Sequence, residues 1–261
     1  MKNIFSKKTS TFILTSILVS LSFYSFAKPK LIEKNKISNF RISSFKGNVL
    51  IKRNKKVLKA KNNFEVFEND IIISDNKSRA EIEVKNTSKI RINSNTEIIF
   101  SENKSKKEKI TFLKVLKGQV WANIFNNKKD KFVIKSDKSI MAVLGTVFDV
   151  SNDSEKTEMR VFEGSVGVTG NDQNNTNIEN KIDTLDLKID SKRNSLKPQQ
   201  IEKPVSIIQG PHQISIDEWL EIVENQKITI ESNGNSTIST LNENILNKEE
   251  WVSWNKELDK H

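Results

Sequence analysis

Residues 135–168 read KSDKSIMAVLGTVFDVSNDSEKTEMRVFEGSVGV. Two apolar, β-branched runs, residues 140–150 and 159–168, flank a polar turn at 151–157 (SNDSEKT). Val143, Val147, Val150, Val161, Val166 and Val168 are stiff about χ1 and suit a pleated surface better than a helix. Gly145, Gly164 and Gly167 punctuate the runs, as bulges, tight turns or close backbone approaches require. The pattern predicts a β-hairpin with a loop longer than two residues. Nothing in the stretch is chemically reactive; it is scaffold.

Working outward, the same grammar recurs. Short β-like runs occupy residues 47–52, 70–74, 80–85, 89–93, 97–101, 110–115, 118–124 and 131–135, with a further short run at 64–67 (FEVF). Ile82 and Val84 alternate with Glu81, Glu83 and Lys85, and Ile90 and Ile92 with Lys89, Arg91 and Asn93. Turn clusters rich in Asn, Asp, Ser and Lys separate the runs. Strands at this spacing with no helical crossover predict an all-β domain over residues 40–169, antiparallel or solenoid-like, without a fixed-period repeat.

Beyond it the composition shifts. Residues 170–200 are too polar to bury much surface and read as a linker or loop. Residues 201–261 are expected to hold a returning strand and a tryptophan-bearing helical tail. Two short helices are predicted there. One lies at 216–226 (IDEWLEIVENQ), with Trp219, Leu220, Ile222 and Val223 on one stripe; the other lies at 247–260 (NKEEWVSWNKELDK), capped by Asn247, with Trp251, Trp254 and Leu258 on one face. A polar spacer containing Asn233-Gly234-Asn235 separates them, and aligned on Trp219 and Trp251 the two look like diverged copies.

Upstream, residues 1–27 have the parts of a secretory signal: a basic start, an apolar run (TFILTSILVSLSFYSF), and Ser25 and Ala27 before a cut at Lys28. Residues 28–39 read as a flexible leader. The expectation is an exported, periplasmic protein, attached to a membrane through an uncleaved signal if at all. The chain contains no cysteine, so no disulfide framework, lipid-bearing cysteine or thiolate site exists.

Of the 261 residues, 43 are Lys or Arg and 33 Asp or Glu, a net charge of +10. The basic residues alternate with acidic ones and lack interleaved aromatics, which argues against nucleic acid as a partner. His212 and His261 have no spacing partner for a metal, and Gly145-Thr146 is followed by no phosphate-binding helix. The Gly164-Ser165 string lacks a nucleophile elbow, and the carboxylate pairs Glu81/Glu83 and Glu249/Glu250 read as solvated surface. The reading is a non-enzyme without metal or cofactor. The candidate partner-binding residues are therefore aromatic: Trp121, Trp219, Trp251 and Trp254.

The chain resembles the FecR family. LGTVFDV followed by RVFEGSVGV is similar to its Gly-Thr-x-Phe-x-Val and Val-x-x-Gly-x-Val signature, carried here by Gly145, Thr146, Phe148, Glu163, Gly164 and Val166 as structural positions. GNVLIK, FENDIIIS, LKGQVWANI and KFVIKS follow the family order, with Glu68-Asn69-Asp70 where Gly-Asp is usual and Asn86-Thr87-Ser88 where Asp-Gly-Ser is usual. The family's best-known members are iron-uptake regulators with a cytoplasmic anti-sigma region, one membrane span and a periplasmic β domain. This chain is expected to lack that N-terminal region. The resemblance implies a periplasmic binding or signalling module; with the strand series and the tail, the expectation is that it recognises an envelope or outer-membrane protein by strand addition at an exposed sheet edge. The alternative is a structural or glycan-binding envelope protein that presents its tryptophans to polysaccharide.

Overall fold

A computed structural model describes residues 38–85, 87–104, 109–125, 130–171, 212–214 and 219–260. The expected signal, almost all of the leader and all but the first residues of the expected linker lie outside them.

Alternation of apolar and polar residues gives many of the strands one face for a core, and two sheets close over that core. The first half of the chain supplies β1 (Phe40–Lys46), β2 (Val49–Arg53), β3 (Lys56–Lys59), β4 (Phe64–Val66), β5 (Ile71–Ser74), β6 (Arg79–Val84), β7 (Ser88–Ile92) and β8 (Thr96–Lys104). Then come β9 (Lys109–Asn123), β10 (Asp130–Lys135), β11 (Ser139–Val143), β12 (Val147–Asn152), β13 (Lys156–Glu163) and β14 (Ser165–Gly170). The last strands are β15 (His212–Ile214), β16 (Leu220–Val223), β17 (Gln226–Glu231) and β18 (Ser236–Thr240), followed by helices α1 (Glu243–Leu246) and α2 (Glu250–Leu258).

Sheet A runs β4-β1-β6-β7-β9-β12-β13-β17-β18-β15, and every pairing in it is antiparallel. Sheet B runs β3-β2-β5-β8-β9-β10-β11-β14-β16, antiparallel except for β9–β10. The inner faces meet in one core that includes Ile82, Ile90, Ile92, Val120, Phe148 and Val161 from sheet A and Ile72, Phe100, Leu113, Ile134 and Val168 from sheet B.

Strands change sheet at glycines. The expected runs 110–115 and 118–124 form one strand, β9, whose first part pairs in sheet B and whose second part pairs in sheet A. Gly118 stands at the crossing with φ +93°, and a Cβ there would lie 2.5 Å from the Thr96 Cα. The organising stretch does the same twice. The β12–β13 hairpin belongs to sheet A, while β11 and β14 pair with each other in sheet B. Gly145 and Gly164, both at positive φ, mark the two breaks, and a Cβ on Gly164 would lie 2.8 Å from the Gly145 carbonyl oxygen. Thr146 Oγ1 donates to the Ser165 carbonyl at 2.9 Å and ties the corner.

Three expectations need correction. Residues 219–226, the described part of the expected helix at 216–226, are not helical: β16 and the start of β17 flank a turn with Asn225 at φ +63°. Pairing with β14 buries Ile222 and leaves Val223 42% exposed, a period of two that overrides the short helical pattern. The two tryptophan segments are therefore not copies of one helix. The polar spacer is the β17–β18 hairpin, with Gly234 at φ +87° in its turn. Helix α2 starts at Glu250 behind Glu249, while Asn247 ends α1, a single turn capped by the Asn242 side chain.

Candidate interaction surface

The side chains of sheet A that face away from the core line up across strands. Register places Glu81 opposite Arg91, Arg91 opposite Trp121, Trp121 opposite Asp149, and Asp149 opposite Arg160. This is a single cross-strand row over β6, β7, β9, β12 and β13, where directly opposed side chains touch. An outward arginine on an open sheet would be hydrated. Here Arg91 and Trp121 are both 0% exposed, because the C-terminal tail lies on them.

Three arginines each receive one carboxylate of the tail. Arg91 Nη1 donates to Asp259 Oδ1 at 2.7 Å, while its Nε donates to Glu81 at 2.7 Å. Arg160 holds Asp149 in a two-point grip at 2.8 and 2.5 Å and donates from Nη1 to Glu249 at 2.7 Å. Arg79 grips Glu250 at 2.8 and 2.5 Å, and its guanidinium stacks against Trp251 and Trp254, 5.3 and 4.8 Å from their ring centres.

Aromatic packing fills the space between these pairs. Trp121 stacks on Phe162 with centroids 4.6 Å apart and donates its indole N–H to Asp259 Oδ2 at 2.8 Å. Asp259 thus accepts from both Arg91 and Trp121. Trp251, Val252 and Leu246 join Trp121 in a small apolar cluster, and Trp251 and Trp254 stack on each other at 5.5 Å. Two donors at this seam, Arg91 Nη2 and Trp251 Nε1, are buried without a partner among the described residues.

Burial pulls the Arg160 guanidinium toward neutrality, but its bonds to Asp149 and Glu249 outweigh that and keep it charged. For Asp149, burial pushes the carboxyl up, against the pull of Arg160 and Gln119. Glu250 is lowered, chiefly by its hydrogen bonds from Arg79.

The four candidate tryptophans divide. Trp121, Trp251 and Trp254 meet under or on α2; Trp219 sits elsewhere, packed on Ile110, Val133 and Ile140 on the outside of sheet B. The signature positions shape a corner: Phe148 and Val166 are buried in the core, Thr146 is buried beside Gly145 and Gly164, and Glu163 is exposed. Of the carboxylates read as solvated, Glu250 stays exposed while it pairs with Arg79, whereas Glu81, Glu83 and Glu249 are partly covered and pair with Arg91, Arg41 and Arg160. The arginines were missed, although their placement on strand faces opposite the core was readable. Among the described residues no cluster of His, Cys, Asp and Glu could hold a metal, and no helix is long and apolar enough to cross a membrane.

The family model described as FecR protein matches residues 70–167. The match contains the whole cross-strand row and the Gly145–Gly164 corner; the tail lies outside it. Similar solved structures include two crystal structures, at 1.65 and 2.50 Å, of a "putative anti-sigma factor" from Parabacteroides distasonis ATCC 8503. Each is 12% identical with a TM-score of 0.44, over 66% of this chain and 60% of that one. The chain therefore spans less than two thirds of those proteins. No curated protein matches.

Proposed function

We propose that this chain, a member of the FecR family, is a non-enzymatic signal-regulating module that binds a protein segment on the outer face of sheet A. One observation carries the reading: Arg79, Arg91 and Arg160 donate to three carboxylates in and beside a tryptophan-bearing helix, a match of charge and shape between this face and a helix. Strand addition draws less support. Among the described residues the terminal strands β4 and β15 have three residues each, β16 has four, and β3 begins and ends with Lys56 and Lys59 and is flanked by Lys55 and Lys61, the usual protection of an edge. Polysaccharide stacking also draws none from Trp121 and Trp251, which are covered.

The signal-like residues 1–27 support a periplasmic site of action, with an envelope protein as partner. The test is photo-crosslinking in the native cell from positions 45 and 258, at the rim of the covered face, against position 57 on β3. A discrete protein adduct from the rim positions that is absent at 57 supports the reading, and no adduct from either rim position refutes it. Sequencing the mature N-terminus from the periplasmic fraction checks export separately.

A further inference from the structure

We infer that residues 241–260 are an internal, imperfect copy of the ligand of sheet A, and that a carboxylate- and tryptophan-bearing helix of a partner protein displaces them. The inference rests on the reading that this face binds protein, and it adds the chemistry of the partner and the event that admits it.

The fit of the tail is incomplete in two independent ways. Arg91 Nη2 and Trp251 Nε1 are buried by the docking and left without partners. Natural seams rarely tolerate such donors, because each forfeits its hydration without a replacement. A ligand that places an acceptor over Arg91 Nη2 gains a bond the tail does not make. A cleft of about 280 Å³ also remains between α2 and the sheet, lined by Phe45, Lys46, Arg79, Glu250, Trp254 and Leu258. Phe45 and Leu258 are each 36% exposed at its walls. A bulkier apolar side chain beside Leu258 would fill it.

The tail is also built to leave. It has nine residues in α2, and Glu249 supplies no side-chain cap to its first turn. A helix this short does not persist alone in water, so it exists because the sheet holds it. Its charged contacts are Glu249, Glu250 and Asp259, its apolar ones the buried Leu246, Trp251 and Val252, and the sheet beneath has its own core on the opposite face. Release would expose a row of arginine and tryptophan without unmaking a strand pairing.

The test uses the full chain and a fluorescein-labelled peptide of residues 241–260 as the probe. While the tail is docked, the probe sees only the open fraction of molecules, so its apparent affinity is reduced by that fraction. A chain carrying Glu249→Lys and Asp259→Lys should expose the α2 amides to hydrogen exchange and bind the probe at least about tenfold more tightly than the unaltered chain. A probe with Lys in place of all three carboxylates should bind neither. Equal, measurable affinity for both chains overturns the internal-ligand inference and leaves the surface reading standing. Protection of α2 unchanged in the double variant also overturns it. No binding to a variant whose α2 exchanges freely removes the surface reading as well. Far-UV circular dichroism checks that the sheets persist; if they do not, Asp259→Asn takes the place of the double variant.

Discussion

Replacing Asp259 by alanine tests whether the tail is held by the buried arginine. The carboxylate accepts from Arg91 Nη1 at 2.7 Å and from Trp121 Nε1 at 2.8 Å, and its side chain is 12% exposed while that of Arg91 is 0% exposed. Breaking a buried ion pair from one side costs about 3–5 kcal/mol. Glu81 still neutralises Arg91 at 2.7 Å, which favours the lower end, and the stranded indole N–H adds about 1 kcal/mol. A tail kept in place would thus lose about 4 kcal/mol. Undocking caps the loss, because it returns Arg91 and Trp121 to water. The effect is therefore local: exchange of the α2 amides, followed by mass spectrometry, should accelerate by about two to three orders of magnitude. Exchange in β9, β12 and β13 should stay within the range of the unaltered protein. Protection of α2 within about threefold of the original would refute the argument, since it would mean that the aromatic packing suffices without the carboxylate.

Other perturbations test the scaffold and the charges. Gly164→Ala meets a backbone oxygen at 2.8 Å with φ at +83°, so it should cost at least about 2 kcal/mol in urea unfolding; Gly234→Ala, at φ +87° with nothing within 4 Å, should cost about 1 kcal/mol. Asn69, at φ +67° in the turn where the family has glycine, should tolerate Asn69→Gly with a change under about 0.5 kcal/mol by the same measurement. Arg79 lowers the Glu250 carboxyl below its ordinary 4.5, so the folded state favours the ionised form. The resulting stabilisation is complete above that ordinary value and is lost as the pH falls through the lowered one. Exchange of α2, corrected for its intrinsic pH dependence, should therefore be flat from neutrality to about pH 5 and rise only in more acidic buffer. A rise beginning near neutrality would contradict this assignment.

Most strands were legible because each announces itself locally. RAEIEV at β6 and SKIRI at β7 alternate within a few residues, and glycine or asparagine marks where each stops. The short apolar run around Leu220–Val223 did not announce itself, since four residues match a helical stripe as well as a strand, and pairing with β14 decided between them. The candidate site was harder for a different reason. Arg91 and Arg160 each look like the polar half of an alternating strand, and nothing within five residues of either names a partner. They become neighbours through three successive registers, β7 to β9 to β12 to β13, which bring positions 91, 121, 149 and 160 into one row.

The tail's tryptophans were visible as a helical face, but what they cover was not, because a docking partner 138 residues away, as Asp259 is from Trp121, leaves no periodic trace in either segment. One local sign was available. A strand whose outward positions hold arginine beside a large aromatic is poorly explained by hydration alone, since solvated strand faces favour smaller polar residues around such a ring. Arg160 and Phe162, two residues apart on the outward face of β13, are that sign, and they point to a cover. Because the cover is charged and incompletely fitted, the same physics that conceals the site from the sequence also makes it a surface that another helix can claim.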